Sequence, residues 1–347
     1  MAFKKQKETT DYNALINELE AEGLQGLYLL WGEEDYLRES FFSKLKDICL
    51  EGGSADFNHH RINGESLDLI ELSQAIESAP FMGERSLVEV RDFVINSYKD
   101  EQAEKLKYIL TDLPGFATVV LMPPIAYELD GRLGLIKTIK KAGRAIEFTA
   151  QSQSALTKWI KMRFRALGKT VGNAECERLI FISGTSMTGL VQEIEKIGSF
   201  VEGEQVSVAD IEALAEHIPE AKVFEMTDCI AKKRFDPAAA LLAELLSSGE
   251  PPIKTLAMIG VQMRRLHTAR IAIDEKLGRP FLMKTHAISS GFVADKLMEG
   301  ARGFTLPELK RAVELCAEAD YRMKSTKDDD ADILKELLLR FSIGGAA

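Results

Sequence analysis

Short apolar runs alternate with amphipathic stretches over the first 150 residues of the chain. The runs predict five β-strands, at residues 26–31, 57–62, 85–90, 117–122 and 144–148. Several of them are apolar throughout, as strands that are covered on both faces must be. Strands that alternate with helical stretches are typical of βαβ units. We therefore predict a parallel sheet flanked by helices for residues 1–150.

Helical periodicity replaces the strand signals after residue 148. A helix is predicted at 152–167, with Leu156 and Ile160 facing inward and Gly168 ending it. Further helices are predicted at 185–197, 208–217, 237–246, 253–272, 306–323 and 329–341. The predicted fold class is α/β plus all-α. It comprises a parallel-sheet domain at 1–150, a small helical domain at 151–218 and a larger helical domain at 219–347.

The composition is that of an ordinary globular protein. The chain has 347 residues, of which 46% are hydrophobic and 28% charged, and a length of this size predicts about two or three domains. No apolar run approaches the roughly 18 residues that cross a membrane, and the first residues lack the apolar stretch of a signal peptide. We expect a cytoplasmic protein with no membrane contact.

The four cysteines are far apart in the sequence. Cys49, Cys176, Cys229 and Cys316 form no C-x-x-C pair and have no histidines at zinc-finger spacing. They are interpreted as buried thiols, and no metal site is predicted from them.

The net charge of −10 argues against a protein that coats nucleic acid by itself, because non-specific affinity depends on Lys and Arg that neutralise phosphates. Two helical stretches nevertheless gather basic residues. Most such runs are solvated surfaces, but local contact with a phosphate backbone, shared with partners, is a second hypothesis. The candidate DNA-facing residues are Lys158, Lys161, Arg165, Arg264 and Arg265.

The turn after the first strand is where a phosphate-binding loop would lie. A P-loop requires G-x-x-x-x-G-K-[ST], whose glycines expose backbone N–H groups and whose lysine neutralises phosphate. Glu33, Glu34 and Asp35 stand here instead, and carboxylates suit the N-terminus of the following helix. We interpret them as helix-capping residues and predict no nucleotide-binding site.

Other catalytic patterns are missing or incomplete. Gly168-Lys169-Thr170 matches the end of a P-loop, but position 163 is Arg where glycine is required. His59 and His60 adjoin in a predicted strand, so they face opposite sides and do not share a metal; one is expected to be packed and one exposed. No G-x-S-x-G, H-E-x-x-H or G-x-G-x-x-G motif occurs. We predict no catalytic residues, no metal and no cofactor.

Residues 78–85, Ser-Ala-Pro-Phe-Met-Gly-Glu-Arg, connect a predicted helix to the third strand. The proline and glycine place Phe81 and Met82 at a corner. From the pattern alone, a role in the core and an exposed docking role are equally supported. An aromatic anchor seated in a partner pocket contributes about 2 kcal/mol or more to binding.

Five sequence patterns, in order along the chain, carry a family resemblance. They are GLYLLWGEEDYLRE, ESAPFMGERSLVEVRD, GTSMTGLVQEIEKI, LLAELLSSGEPPIKTLAMIGVQMRRL and ADYRMKST shortly before ILKELLLRF. Together they resemble the delta subunit of the bacterial DNA polymerase III clamp loader over essentially the whole chain. The resemblance implies an AAA+-like N-terminal domain without a Walker A motif, a small helical lid domain and a C-terminal helical collar domain.

The resemblance also implies a function and partners. In the family, the helix end before the third strand inserts apolar residues into a pocket of the beta sliding clamp, and that element corresponds here to Ala79, Pro80, Phe81 and Met82. Pro80 departs from the leucine often found there. The implied role is to bind the clamp and open its ring, or trap it open, for loading on primed DNA.

The implied partners are the ATP-hydrolysing gamma/tau subunits and the delta-prime subunit, in a hetero-pentamer joined by the collar. The chain would then be one subunit of a DNA-directed DNA polymerase holoenzyme, with no active site of its own. Two alternatives stay open: an AAA+ ATPase with a degenerate nucleotide site, and a delta-prime-like subunit. A delta-prime subunit usually carries a zinc-binding cysteine cluster and an S-R-C motif, and this sequence contains neither. An unrelated helical adaptor would have to match the ordered patterns by chance.

Overall fold

The computed structural model describes residues 11–52 and 55–343. The chain divides between Ser152 and Gln153 into two compact units. The first unit holds a parallel sheet with helices and the second is helical, which confirms the predicted α/β plus all-α fold class. The predicted domain boundary between residues 218 and 219 stays a prediction.

The sheet of the first unit has five parallel strands in the order β2-β3-β4-β1-β5. The strands are β1 (Leu27–Gly32), β2 (His59–Asn63), β3 (Ser86–Arg91), β4 (Ala117–Met122) and β5 (Arg144–Phe148). Each lies within two residues of a predicted strand. All five are therefore found where the apolar runs predicted them.

The start of the second strand was predicted wrongly. Phe57 and Asn58 end a one-turn helix, α3 (Ala55–Asn58), and pairing with β3 begins only at His59. The Asn58 side chain hydrogen-bonds the backbone of Phe81, just before β3.

Both faces of the sheet are covered. Side chains alternate along β1, so that Leu27 and Leu29 join the core formed with three helices, while Tyr28 faces Phe41 of α2, with ring centroids 6.3 Å apart. The helices of this unit are α1 (Tyr12–Glu22), α2 (Asp35–Cys49), α3, α4 (Leu69–Glu77), α5 (Asp100–Thr111) and α6 (Gly134–Ala142), with a 3₁₀ turn at Ile95–Ser97. In α5, Leu106 and Leu110 lie one turn apart and are both buried.

The second unit contains eleven helices within the described residues. They are α7 (Gln153–Ala166), α8 (Asn173–Ser183), α9 (Met187–Phe200), α10 (Val208–Leu214), α11 (Pro219–Ala231), α12 (Phe235–Ser247), α13 (Pro252–Asp274), α14 (Gly278–Thr285), α15 (Gly291–Ala301), α16 (Leu306–Ser325) and α17 (Asp330–Ile343). The pattern predicted seven of them but missed α8, α11, α14 and α15. A single buried cluster runs from Val223 to Leu338.

Three phenylalanines join α8 to the helices that follow it in this unit. The Phe181 ring meets Phe224 of α11 edge-on at 5.0 Å and Phe292 of α15 at 5.5 Å. Arg178, one turn earlier, lies over Phe181 and pairs with Glu225 of α11 at 3.6 Å. Edge-to-face aromatic pairs add about 1 kcal/mol each beyond the area they bury, so α8 is held firmly against α11 and α15.

The four cysteines are buried and unpaired, as predicted. Burial raises the pKa of Cys176 to about 11 and that of Cys316 to about 12, which keeps these thiols protonated near neutral pH. Across residues 11–52 and 55–343, no helix is both long and apolar enough to cross a membrane.

Candidate functional site

Residues 78–85, called the Phe81 loop below, connect the end of α4 to the start of β3. Leu72 and Ile76 bury the inner face of α4 and so fix where the loop begins. Ala79 is exposed and Pro80 is half-buried. Phe81 is 55% exposed and Met82 77% exposed, so neither side chain belongs to the core; the docking role stays a prediction.

Asn58 holds the Phe81 loop by two hydrogen bonds. Its side chain is almost completely buried, at 2% exposure. The N–H of Phe81 donates to Asn58 Oδ1 at 2.6 Å, and Asn58 Nδ2 donates to the Phe81 carbonyl at 3.0 Å. The amide therefore grips both polar groups of one backbone residue that lies 23 positions away in the sequence.

A second exposed aromatic residue lies next to Phe81. The Phe57 ring, on α3, is 66% exposed, and its centroid is 5.3 Å from that of Phe81 at an angle of 52°. Phe57 and Phe81 are called the aromatic pair below. Phe57 was predicted to lie in a strand and was not among the predicted site residues. The available signal is the neighbouring Asn58, because strands disfavour asparagine.

The turn after Phe81 has an unusual backbone. Met82 has φ of 51°, a left-handed conformation that non-glycine residues adopt at a cost of about 1 kcal/mol. Gly83 follows it directly. The turn directs the chain from the exposed Phe81 and Met82 back into β3, whose first residue, Ser86, is fully buried.

Charged groups lie on β2 and β3 beside this loop. His59 Nε2 is 2.7 Å from Glu89 Oε2, and both side chains are buried. Burial would raise the pKa of Glu89, but hydrogen bonds from His59 and Arg91 lower it below its ordinary value. His60 is half-buried. Among the described residues, no group of three or more His, Cys, Asp or Glu is arranged to hold a metal ion.

The position of a phosphate loop, between β1 and α2, is occupied by protein groups. Gly32 has φ of 133°, and a Cβ there would lie 2.1 Å from the Phe148 carbonyl oxygen. The N–H groups of Glu33 and Glu34 both donate to that oxygen at 3.0 Å. In a P-loop such N–H groups bind phosphate. Here they are hydrogen-bonded to the last residue of β5.

Carboxylates at this turn behave differently from one another. Glu34 stands at the N-cap position of α2, but among the described residues its side chain makes no capping hydrogen bond. It is 8% exposed, and burial raises its pKa to about 7. Asp35 accepts a hydrogen bond from Arg38 at 2.8 Å, while Arg38 also donates to the Pro123 carbonyl at 2.8 Å. Of the three predicted capping residues, only Asp35 lies inside the first turn of the helix.

The lysine of the false P-loop match has a local structural role. Gly168, with φ of 72°, ends α7 as predicted. Lys169 Nζ donates to the carbonyl oxygens of Val201 and Gly203, the latter at 2.8 Å. Its charge therefore supports the chain after α9.

The basic residues of α7 occupy one face. Lys158, Lys161 and Arg165 are spaced by three and four positions, opposite the buried Leu156 and Ile160. Lys158 and Arg165 are exposed and form no salt bridge with any described residue. Lys161 Nζ donates to Asn173 Oδ1 at 2.6 Å. None of the three forms a salt bridge within the described residues, and Lys161 is hydrogen-bonded to a neutral amide.

The two candidates on α13 are also without acidic partners among the described residues. Arg264 is exposed and Arg265 half-buried, with its Nε buried and lacking an acceptor in the described part of the chain. Desolvation lowers the pKa of Arg265. Burial, together with the charges of both arginines, lowers the pKa of the neighbouring His286. This part of the second unit therefore carries uncompensated positive charge.

Two family models match this chain. The model described as DNA polymerase III, delta subunit, matches residues 28–150, and the model described as DNA polymerase III delta subunit, C-terminal domain, matches residues 220–341. Together they cover well over half of the sequence, with one match in each of the two units.

Individual relatives agree with the family models. The chain is 28% identical over 326 residues to DNA polymerase III subunit delta of Bacillus subtilis (strain 168), covering 90% of this chain and 92% of that protein. It is 21% identical to a probable DNA polymerase III subunit delta of Aquifex aeolicus (strain VF5), covering 90% of each. The solved structure of the Bacillus subtilis DNA clamp loader delta protein (YqeN) matches with a TM-score of 0.56 and 25% identity, over 95% of this chain and 99% of that one. The chain belongs to the DNA polymerase III delta subunit family.

Proposed function

We propose that this chain is a clamp-loader subunit that binds the beta sliding clamp through Ala79, Pro80, Phe81 and Met82, and that it opens the clamp ring or traps it open for loading on primed DNA. The observation that supports this most directly is the exposure of Phe81 and Met82 on a loop that is fixed at its base. An exposed apolar pair held in one position is suited to insertion into an apolar pocket.

The proposed work on the ring is mechanical. Inserting Phe81 favours an open ring only if the open ring binds the loop better than the closed one, because a ligand shifts an equilibrium by its difference in affinity for the two states. No covalent step is required of this chain. The energy for a repeated cycle would come from partners that hydrolyse ATP.

Those partners are proposed to be the gamma/tau and delta-prime subunits, joined through a collar at residues 219–347 in a cytoplasmic hetero-pentamer. The buried cluster between Val223 and Leu338 lies wholly inside that range, which supports treating it as a domain. Residues 151–218 are then proposed to form the small helical lid domain.

We further propose that the chain itself does not bind nucleotide. The support is the turn after β1, where the N–H groups of Glu33 and Glu34 already donate to the Phe148 carbonyl. A phosphate would have to displace that oxygen and lie beside two or three carboxylates, which repel it.

DNA contact within the loader is proposed for basic residues that have no internal partner. Lys158 and Arg165 on α7, and Arg264 and Arg265 on α13, meet this condition among the described residues. A cation without a salt bridge neutralises a phosphate without first breaking an existing pair. Lys161 is the weakest of the five candidates because it is already bonded to Asn173.

The test of the clamp contact is calorimetry with the purified chain and the beta sliding clamp of the same cell, without nucleotide. Phe81→Ala removes the proposed anchor from an exposed position, so the fold should be retained. We expect the substitution to weaken binding at least about tenfold, which corresponds to ~1.4 kcal/mol.

The matched control is Ile70→Ala. Ile70 lies on α4 of the same unit and is 68% exposed. The substitution therefore removes an exposed apolar side chain outside the Phe81 loop. Equal affinities for wild type and Phe81→Ala would move the contact elsewhere. Failure of the wild-type chain to bind the clamp would reject the proposed function.

A further inference from the structure

The apolar surface at the Phe81 loop extends beyond the loop. Phe57, from α3, places its ring 5.3 Å from the Phe81 ring, and both stay more than half exposed. A pair that served only the fold would be expected to bury itself, because burying a phenylalanine side chain stabilises a protein by about 2 kcal/mol. The two rings instead contact each other and leave most of their outer surface to the solvent.

The same short segment that presents Phe57 also fixes Phe81. Asn58 follows Phe57 directly, is 2% exposed and bonds both the N–H and the carbonyl of Phe81. The amide oxygen and one amide N–H are both hydrogen-bonded, which offsets part of the cost of burying this side chain. Asn58 therefore links the backbone next to Phe57 directly to the backbone of Phe81.

From these contacts we infer that Phe57 is a second anchor for the sliding clamp and that Asn58 is a positioning residue for the aromatic pair. The inference rests on the proposed function and deepens it by assigning two residues outside the Phe81 loop. The partner of this surface is the sliding clamp, at the apolar pocket that receives Phe81. A ring in contact with Phe81 reaches the same pocket or its rim.

Preorganisation explains why a buried amide would be used here. Holding the Phe81 backbone in one conformation before binding removes part of the entropy cost of ordering the loop in the complex. The left-handed backbone of Met82, with φ of 51°, is held in the same loop. Strained residues persist where surrounding contacts fix them, and the two bonds from Asn58 to the preceding residue supply such contacts.

The experiment is a double-mutant cycle on the full chain, with calorimetry against the beta sliding clamp and no nucleotide. The variants are Phe57→Ala, Phe81→Ala, both together, and Ile70→Ala as the control, each checked by thermal unfolding. We expect Phe57→Ala to weaken binding about fivefold or more, and the double variant to lose less than the product of the single losses, since contacting residues are not additive.

The outcomes separate this inference from the proposed function. If Phe81→Ala weakens binding while Phe57→Ala stays within about twofold of wild type, only the second anchor is rejected. Tighter binding by Phe57→Ala would also reject it, because Phe57 would then be a cover over Phe81. If Phe81→Ala leaves the affinity unchanged, or if the wild-type chain does not bind the clamp, both the second anchor and the proposed clamp contact are rejected.

The positioning role of Asn58 has its own readout. Asn58→Ala should speed hydrogen exchange at the Phe81 amide, whose acceptor it removes, and should weaken clamp binding. In a Phe81→Ala background the same change should alter affinity by less than about twofold, because Asn58 acts through residue 81. An equal loss in both backgrounds, or unchanged exchange at that amide, would contradict the assignment.

Discussion

Glu34 shows how the fold changes a single carboxyl group. The residue sits where β1 turns into α2 and is 8% exposed, and burial raises its pKa from 4.5 to about 7. In the unfolded chain the same group ionises near its ordinary value. Above pH 7 folding therefore buries a charge, and below pH 4.5 the group is protonated in both states. Between these limits the folded state binds the proton more tightly, so stability from this group rises as the pH falls.

Glu34→Gln should therefore stabilise the protein at pH 8, by roughly 1 kcal/mol or more, because each unit of pKa shift corresponds to about 1.4 kcal/mol. The gain should shrink as the pH falls and vanish near pH 4.5. Urea unfolding at several pH values measures it, with Glu65→Gln, at an exposed position of the same unit, as the control. A gain that does not change with pH would show that the Glu34 charge is not the cause.

At the scale of elements, the helix α7 carries the clearest candidate surface for DNA. Its buried face packs Leu156, Ile160 and Phe164, and the opposite face exposes Lys158 and Arg165. Residues seven positions apart on a helix lie two turns apart on one side. The two charges are about 10 Å apart along the axis at 1.5 Å per residue, a distance at which each can meet a different phosphate.

Lys158→Ala and Arg165→Ala should each weaken binding of primed DNA by the assembled loader. Each should also reduce the slope of log affinity against log salt by about 1, the amount expected for one lost phosphate contact. Fluorescence anisotropy at several salt concentrations measures both effects. Lys196→Ala is the control, because Lys196 is paired with Glu193 at 2.8 Å. Unchanged slopes in both variants would remove α7 from the DNA-binding surface.

At the scale of the whole molecule, each unit has its own buried core, and neither shows the pattern of a phosphate loop. The cluster around β1, β3 and β4 fills one side of the sheet in the first unit, and the cluster from Val223 to Leu338 fills much of the second. The sheet still presents a strand, a turn and a helix in the order that nucleotide-binding proteins use. What differs is that β5 closes against the turn through the Phe148 carbonyl.

Mg-ATP should consequently leave the thermal midpoint of the isolated chain unchanged to within about 1 °C. A ligand at 100 times its dissociation constant would add about 2.7 kcal/mol, or several degrees. The affinity of the isolated chain for the sliding clamp should also be unaffected by Mg-ATP. Differential scanning fluorimetry and calorimetry measure the two quantities, with an ATP-hydrolysing gamma subunit as the positive control. A clear rise in midpoint would favour the alternative of a degenerate ATPase.

The sequence by itself determined the elements and the fold class. Apolar runs and helical spacing are local properties, and they placed all five strands and most of the longer helices. The residues Glu33, Glu34 and Asp35 are likewise incompatible with a P-loop motif at this turn. The missed helices α8, α11, α14 and α15 have 8 to 13 residues, and their buried faces become distinguishable only through the neighbours they contact.

Only the tertiary structure decided which side chains remain available. The residue pattern around Phe81 supported core and surface equally, the family resemblance implied exposure, and the structure shows it; Phe57 was assigned to the wrong element. The bond from Asn58 to Phe81 joins residues 23 positions apart, and the free charge of Lys158 depends on which carboxylates fold near it. Such properties arise from contacts between distant segments, and hydrophobic periodicity carries no information about them.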